Sequence, residues 1–267
     1  MARKKINTEL WKVLQPLLPT AEPSPKGGRP RVGDRAALSG ILFVLQTGIP
    51  WEDLPQELGF GSGMTCWRRL RDWQANGVWE RLHLALLTRL REHDQIDWSR
   101  ASIDGAAVAS PPEGPQTRPN PTDRGKLGSK RHLVVDRQGV PLALTVTGAN
   151  RHDSVVFEDL VDAIPAVPGL SGRPRRRPDK LHADKGYDFA RCRRHLRKRR
   201  ISPRIARRGI ERNDRLVKHR WVVERTHAWL AAFGKLRIRF ERRIDTHVAL
   251  LTLACAVICS RFVEGLC

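Results

Sequence analysis

Leu10, Trp11, Val13, Leu14, Leu17 and Leu18 recur at helical spacing and predict a first helix over residues 8–18. The Pro- and Gly-rich stretch 19–31 ends it. Asp34 is the expected cap of a second helix through Leu38, Ile41, Leu42 and Leu45, and residues 51–58 read as a short third one. After the breaker Gly59-Phe-Gly-Ser-Gly63, Thr65 is the expected cap of a helix carrying Trp67, Leu70 and Trp73. Asn76-Gly77 stops it, and a further helix follows over residues 78–93. Residues 1–95 therefore form an all-helical region with a short helix, a turn and a helix in its middle, the pattern of a DNA-binding helix-turn-helix or of a helical cap with a solvated basic face.

The period then changes. Residues 102–109, 132–135, 142–147, 180–183 and 201–206 read as strands, and Asp136-Arg-Gln-Gly139 is the expected hairpin turn between the second and third. Helices are expected over residues 150–164, capped by Asp153 or Ser154, over 191–200 and over 213–233. Residues 111–128 read as a loop, and the apolar run 248–259 as a buried helix. The order is strand, strand, strand, helix, strand, helix, strand, helix, which makes residues 96–267 an α/β domain with a five-stranded sheet.

Composition adds a partner. Forty-nine Lys and Arg against 28 Asp and Glu give a formal charge of +21, which favours a polyanion such as nucleic acid, with an acidic membrane surface as the competing reading. No run reaches the roughly 18 apolar residues that span a bilayer. The amino-terminal segment has no secretory core, so a cytoplasmic, nucleoid-associated protein is expected. Five cysteines without a Cys-x-x-Cys pair suggest neither a disulfide framework nor a zinc knuckle, and Cys255 and Cys259 read as core packing.

Three acids stand out by their placement. Asp104 lies inside the first strand, although Asp-Gly is also a common turn dipeptide. Asp184 follows the fourth strand, at the strand edge where open α/β sheets bind ligands. Glu224 shares a helical row with Val217, Trp221, Ala228 and Ala231, so the expectation is a poorly hydrated carboxylate that needs either Arg220, one turn earlier, or a metal ion. Together the three offer the clustered hard oxygens with which phosphoryl transfer on DNA holds two Mg²⁺ ions, for which Mn²⁺ can substitute. A plain Arg220–Glu224 helix pair is the simpler alternative.

The segments Ser102-Ile-Asp104-Gly, Gly128-Ser-Lys-Arg-His132, Asn150-Arg-His-Asp153, His182-Ala-Asp184-Lys-Gly-Tyr-Asp188 and Trp221-Val-Val-Glu224-Arg-Thr-His-Ala-Trp229-Leu resemble those of bacterial insertion-sequence transposases of the insertion-sequence-five kind. The likeness runs from about residue 6 to 263 and extends to Trp51-Glu-Asp-Leu-Pro55 and Trp67-Arg-Arg-Leu-Arg-Asp-Trp73. It implies an RNase H-like core in which Asp104, Asp184 and Glu224 are the catalytic, metal-holding triad. It also implies hydrolysis at the element's terminal inverted repeats, transfer of the freed 3′-hydroxyl to target DNA, and a dimer or larger assembly on double-stranded DNA. Of the Tyr, Arg, Glu, Lys pattern that surrounds the last acid in related enzymes, only Arg220 and Glu224 match. Val217 stands in the Tyr position and Ala231 in the Lys position, with Lys235 the nearest later lysine.

Residues 191–220 carry 14 Lys or Arg and two acids, a candidate DNA track whose usual alternative is a solvated basic helix. The individual DNA-contact candidates are Arg68, Arg69, Arg71, Lys130, Arg131, Arg220, Arg225, Arg237 and Arg239, with Arg225, Arg237 or Arg239 standing in for the absent lysine. His152 and Trp229 are weaker candidates, for a DNA contact and for base stacking. Two other functions share these residues: a decayed transposase that binds terminal repeats without cutting, and an RNase H-like nuclease without strand transfer.

Overall fold

The computed structural model describes residues 8–20, 30–112, 114–210 and 213–265. In the helical region α1 (Thr8–Leu14) runs into a 3-10 turn at Gln15–Leu17, where Pro16 removes a donor. Helix α2 (Asp34–Thr47) begins one residue after its cap, Gly33, and ends on Gly48 at φ 81°. Asp34 is thus a first-turn residue and not the cap. Its carboxylate is taken by Arg69 of α3 (Gly63–Ala75). The cap of α3 is Ser62, whose Oγ accepts from the Thr65 N–H at 3.2 Å, so Thr65 also lies inside its helix. Between the prolines at 50 and 55 the expected third helix shrinks to a turn and a 3-10 turn at Gln56–Leu58. Helix α4 spans Val78–Glu92.

The sheet is built on β1 (Ala101–Ala109), β3 (Leu127–Asp136), β4 (Pro141–Gly148), β5 (Lys180–Ala183) and β6 (Ser202–Ile205). A two-residue strand, β2 (Arg118–Pro119), lies within the stretch expected to be loop and pairs with Leu127 and Gly128 beyond the end of β4. The main strands are ordered β4-β3-β1-β5-β6, with β3 antiparallel to both neighbours and β1, β5 and β6 mutually parallel. That is the mixed connectivity of an RNase H-like fold. Asp136 organises the β3–β4 hairpin, accepting from the N–H groups of Asp97, Gln138 and Val140.

Around the sheet lie α5 (Phe157–Asp162), α6 (Ala190–Lys198), α7 (Asn213–Ala231) and α8 (Ile244–Glu264). The helix expected over 150–164 is split by a 3-10 turn at Asp153–Val155, capped by the His152 ring, which accepts from the Ser154 N–H. Asp153 is not the cap because Lys130 and His132 hold it elsewhere. Helix α7 crosses one face of β1, β3 and β5. Helix α8 is apolar on nearly all sides, as a helix without a solvent face must be, and it packs against α3, α4, α7 and β4. It is long and apolar enough to cross a membrane by length and composition, but 78% of its most apolar window is buried inside the protein. Cys255 and Cys259 are buried on it as free thiols. One hydrophobic cluster runs from Leu10 through the sheet to Cys259.

Several histidines are buried uncharged. Burial, aided by Arg239 and Arg131, pushes His247 down to about 3, and burial pushes His227 to about 3 as well. A folded-state value below the unfolded one contributes stability that is complete above about pH 6.5 and lost as the pH falls. At pH 5 each such group therefore costs about 2 kcal/mol. Asp136, raised by burial to about 7, works in the opposite sense. His247→Leu is accordingly expected to lose about 2 kcal/mol less stability than wild type between pH 7 and pH 5, measured by urea unfolding; an unchanged pH dependence would show that His247 is not buried uncharged.

Candidate active site

The β1–β5 register pairs Ala101 with Leu181 and Ser102 with His182. Carried two residues further, it sets Asp104 level with Asp184, just beyond the end of β5. Residues level on neighbouring parallel strands sit about 5 Å apart and share a face, so two carboxylates meet at one place on the sheet. Asp184 is fixed by its own turn, accepting from the Gly186 N–H at 2.8 Å. Burial pushes the Asp104 carboxyl up to about 6; Arg220 opposes the shift, and Asp184 and Asp153 add to it.

From above, α7 delivers Arg220. Its Nη2 lies 3.7 Å from Asp104 Oδ1 and 4.0 Å from Glu224 Oε1, so one guanidinium links the sheet carboxylate to the helix carboxylate. Glu224 is not the poorly hydrated acid expected from its helical row. Its side chain is 59% exposed, because α7 turns Val222, Val223, Thr226, His227 and Leu230 inward instead. Trp221 and Ala228 of that row face outward with it, and Val217 falls among residues whose side chains lie outside the described set.

Among the described residues no group of three His, Cys, Asp or Glu side chains is close enough to hold a metal ion. The donor chemistry nonetheless suits a hard divalent cation. Asp104 and Asp184 offer only carboxylate oxygens, side by side, with one of them desolvated, and a cation relieves both the repulsion and the burial. Arg220 supplies that positive charge here, with Glu224 drawn to its other side.

Residues beneath Asp104 were not singled out by sequence. A Cβ on Gly105 would stand 2.8 Å from Asp153 Oδ1 and 2.9 Å from His132 Nδ1, so only glycine lets those two groups approach the strand. Asp153 pairs with Lys130 at 2.9 Å, and His132 bonds Thr147 Oγ1 at 2.9 Å while burial lowers it to about 4. Tyr187 is buried near Asp153, Asp104, Asp184 and Arg220, and its hydroxyl is pushed well above its usual range by burial and those acids. The Asn150-Arg-His-Asp153 motif was the available signal, but it reads equally as a helix start.

The basic candidates divide. Arg69 is buried against Asp34 and the Val32 carbonyl, Arg131 donates to the carbonyls of Leu236 and His227, and Arg239 donates to the carbonyls of Glu241, Pro115 and Arg242 and to Ser129 Oγ. These three are structural ties and cannot reach a phosphate, which corrects the expectation. Lys130 is held by Asp153 and the Arg151 carbonyl. Alternation along β3 turns it to the face opposite Arg131, away from α7. Arg225 lies between Trp221 and Trp229 and donates to the Gln138 carbonyl. Lys235 is buried against the Ile49 carbonyl and Glu241, so it does not supply the absent lysine. Arg68 and Arg237 are exposed, and Arg71 is partly so beside Asp72. His152 caps its own turn and stacks edge-on with Phe189.

An RNase H-like sheet with paired carboxylates at the β1–β5 junction defines a class of enzymes acting on nucleic acid backbones. Within it, the chain belongs to the transposase DDE-domain family: the model described as "Transposase DDE domain" matches residues 96–259. A second model, "Putative transposase of IS4/5 family", matches residues 6–83. A "Putative transposase for insertion sequence element IS402" of Burkholderia cepacia is 56% identical over 145 residues, 54% of this chain and 69% of that protein. The "Transposase for insertion sequence element IS1106" of Neisseria meningitidis serogroup B is 30% identical over 126 residues, 43% of this chain and 38% of that one. Mos1 transposase in a paired-end complex with the left transposon end aligns at 12% identity and a TM-score of 0.27, covering 81% of this chain and 79% of that one. The Mos1 strand transfer complex aligns at 11% identity and a TM-score of 0.30, covering 89% and 81%. Likenesses this distant add nothing to the assignment.

Arg239→Ala is expected to destabilise the protein by roughly 3 kcal/mol, since it strips a buried donor from several acceptors at once, while leaving the salt dependence of DNA binding by the folded fraction unchanged. Urea unfolding and binding titrations at two salt concentrations check both halves; a shallower salt slope would mean that Arg239 touches phosphate.

Proposed function

We propose that the chain cuts the terminal inverted repeats of an insertion sequence and joins the freed 3′-hydroxyl ends to target DNA, with Asp104, Asp184 and Glu224 as the metal-holding residues. What carries the reading is the β1–β5 register that brings Asp104 level with Asp184, together with the Arg220 link from Asp104 to Glu224. Two bound Mg²⁺ or Mn²⁺ ions would supply the charge that activates a water or a 3′-hydroxyl and stabilises the leaving oxygen.

The chain's own residues do the rest. Asp104 and Asp184 fix the place of reaction because each is anchored by backbone, one within a central strand and one by its Gly186 turn. Glu224 closes the site from the helix. Arg220, freed from two carboxylates when a cation takes its role, is left with its charge directed at the backbone phosphates of the DNA. Exposed Arg68, Arg71 and Arg237 contact phosphates farther out, and the strongly basic α6 continues that track. Residues 1–95 form the DNA-recognition region and residues 96–267 the catalytic domain, and two or more copies synapse the two ends.

Purified protein incubated with a labelled terminal-repeat duplex is expected to nick it only with Mg²⁺, and Asp184→Ala is expected to lower that rate by a factor of 10³ or more while still binding the duplex (an order of magnitude consistent with loss of metal-assisted charge stabilisation). Binding with no cutting by wild type under any divalent ion would reduce the chain to a terminal-repeat binder. Cutting without joining of pre-cut ends would leave a nuclease.

A further inference from the structure

Beside Glu224 on α7 stands a tryptophan that packing does not explain. Trp221 is 46% exposed, three residues before Glu224 and hence on the adjoining part of the same helix surface. One side of its indole is occupied by the Arg225 guanidinium, 4.5 Å from the ring centroid. Arg225 is itself backed by Trp229 at 4.6 Å and tied to the Gln138 carbonyl. Trp229 in turn meets Phe262 of α8 edge-on, with centroids 6.0 Å apart. The β3–β4 turn closes the stack from the side: Gly139, at φ 93°, comes so near that a Cβ there would stand 3.0 Å from Thr226 Oγ1, 3.1 Å from Arg225 Nη2 and 3.3 Å from the Trp229 ring.

The result is a ladder, Phe262–Trp229–Arg225–Trp221, that starts in the core and ends with an aromatic face turned outward. A rigid, pre-positioned ring loses little freedom when a second flat group stacks on it. We propose that the outer face of Trp221 is a stacking platform for an unpaired nucleobase at the DNA end held by Asp104 and Asp184. This deepens the DNA-end reading above and rests on it. A base fits better than a protein side chain because Arg220 and Glu224, which bracket the reacting backbone in that reading, lie within one turn, and because the chain carries a formal charge of +21 that gathers a polyanion to it. The base must be unpaired, since one within a duplex has both faces covered, and stacking tolerates any of the four bases.

The test compares a blunt duplex with the same duplex bearing a short oligothymidine overhang. Wild type is expected to bind the overhang form more tightly, by about 5- to 100-fold, the range for one stacked base. Trp221→Ala is expected to abolish that preference with the blunt duplex bound as before, and Trp221→Phe to keep most of it. An equal affinity of wild type for the two duplexes overturns the proposal without any variant having to fold, and leaves DNA binding intact as a separate result. Failure to bind either duplex overturns the DNA reading and the platform together. A Trp221→Ala change that alters only the oligomeric state in the absence of DNA, with the overhang preference retained, also overturns it and assigns the surface to contacts between copies.

Discussion

The fold depends on the burial of α8. This helix has almost no face for water, so it has to be enclosed, and the only surfaces available to enclose it belong to two different parts of the chain. Helices α3 and α4 cover it from the helical region, while β4 and α7 cover it from the sheet. Leu250, Leu253, Ala254, Ile258 and their neighbours are consequently shared between the two parts. At about 25 cal/mol per Å² of apolar surface removed from water, no other element can draw the helices and the sheet together as strongly. The sheet carboxylates, the helix α7 that faces them and the basic helix α3 all take their positions from this common wall.

A second constraint follows from charge. In so basic a chain, arginine might be expected to sit outside, repelling its own kind. Several arginines instead go inward and act as multi-armed ties. Arg239 gathers three carbonyls and a serine hydroxyl, Arg131 fastens β3 to the end of α7, and Arg69 joins α3 to the start of α2. Five donors in a fixed plane suit that task in a way lysine does not. The outward positive field is therefore smaller than the formal count, and more of it is concentrated on α6 and the exposed positions 68 and 237.

Much of this was legible in the sequence, for identifiable reasons. The five long strands could be read because β-rich runs there are bounded by turn residues, and Asp184 because a Lys-Gly-Tyr sequence follows it at a strand end. Caps were misread where a neighbouring side chain competed for the residue: Asp34 serves Arg69, and Asp153 serves Lys130. The burial of Glu224 was misjudged because a helical row lists apolar neighbours without saying which way they point, and the sheet selected the Val222–Val223 side. The inward arginines were illegible for the same reason, since their partners are backbone carbonyls up to 124 positions away, as Pro115 is from Arg239. No local pattern records an acceptor that far along the chain.

The sharing of α8 has a consequence for how DNA would be measured. If α3 grips one stretch of duplex and Asp104 addresses another, both are bolted to a single rod, and no flexible tether separates them. The spacing along the DNA between the sequence gripped and the bond attacked is then a fixed length of protein, as in a caliper whose jaws have been locked.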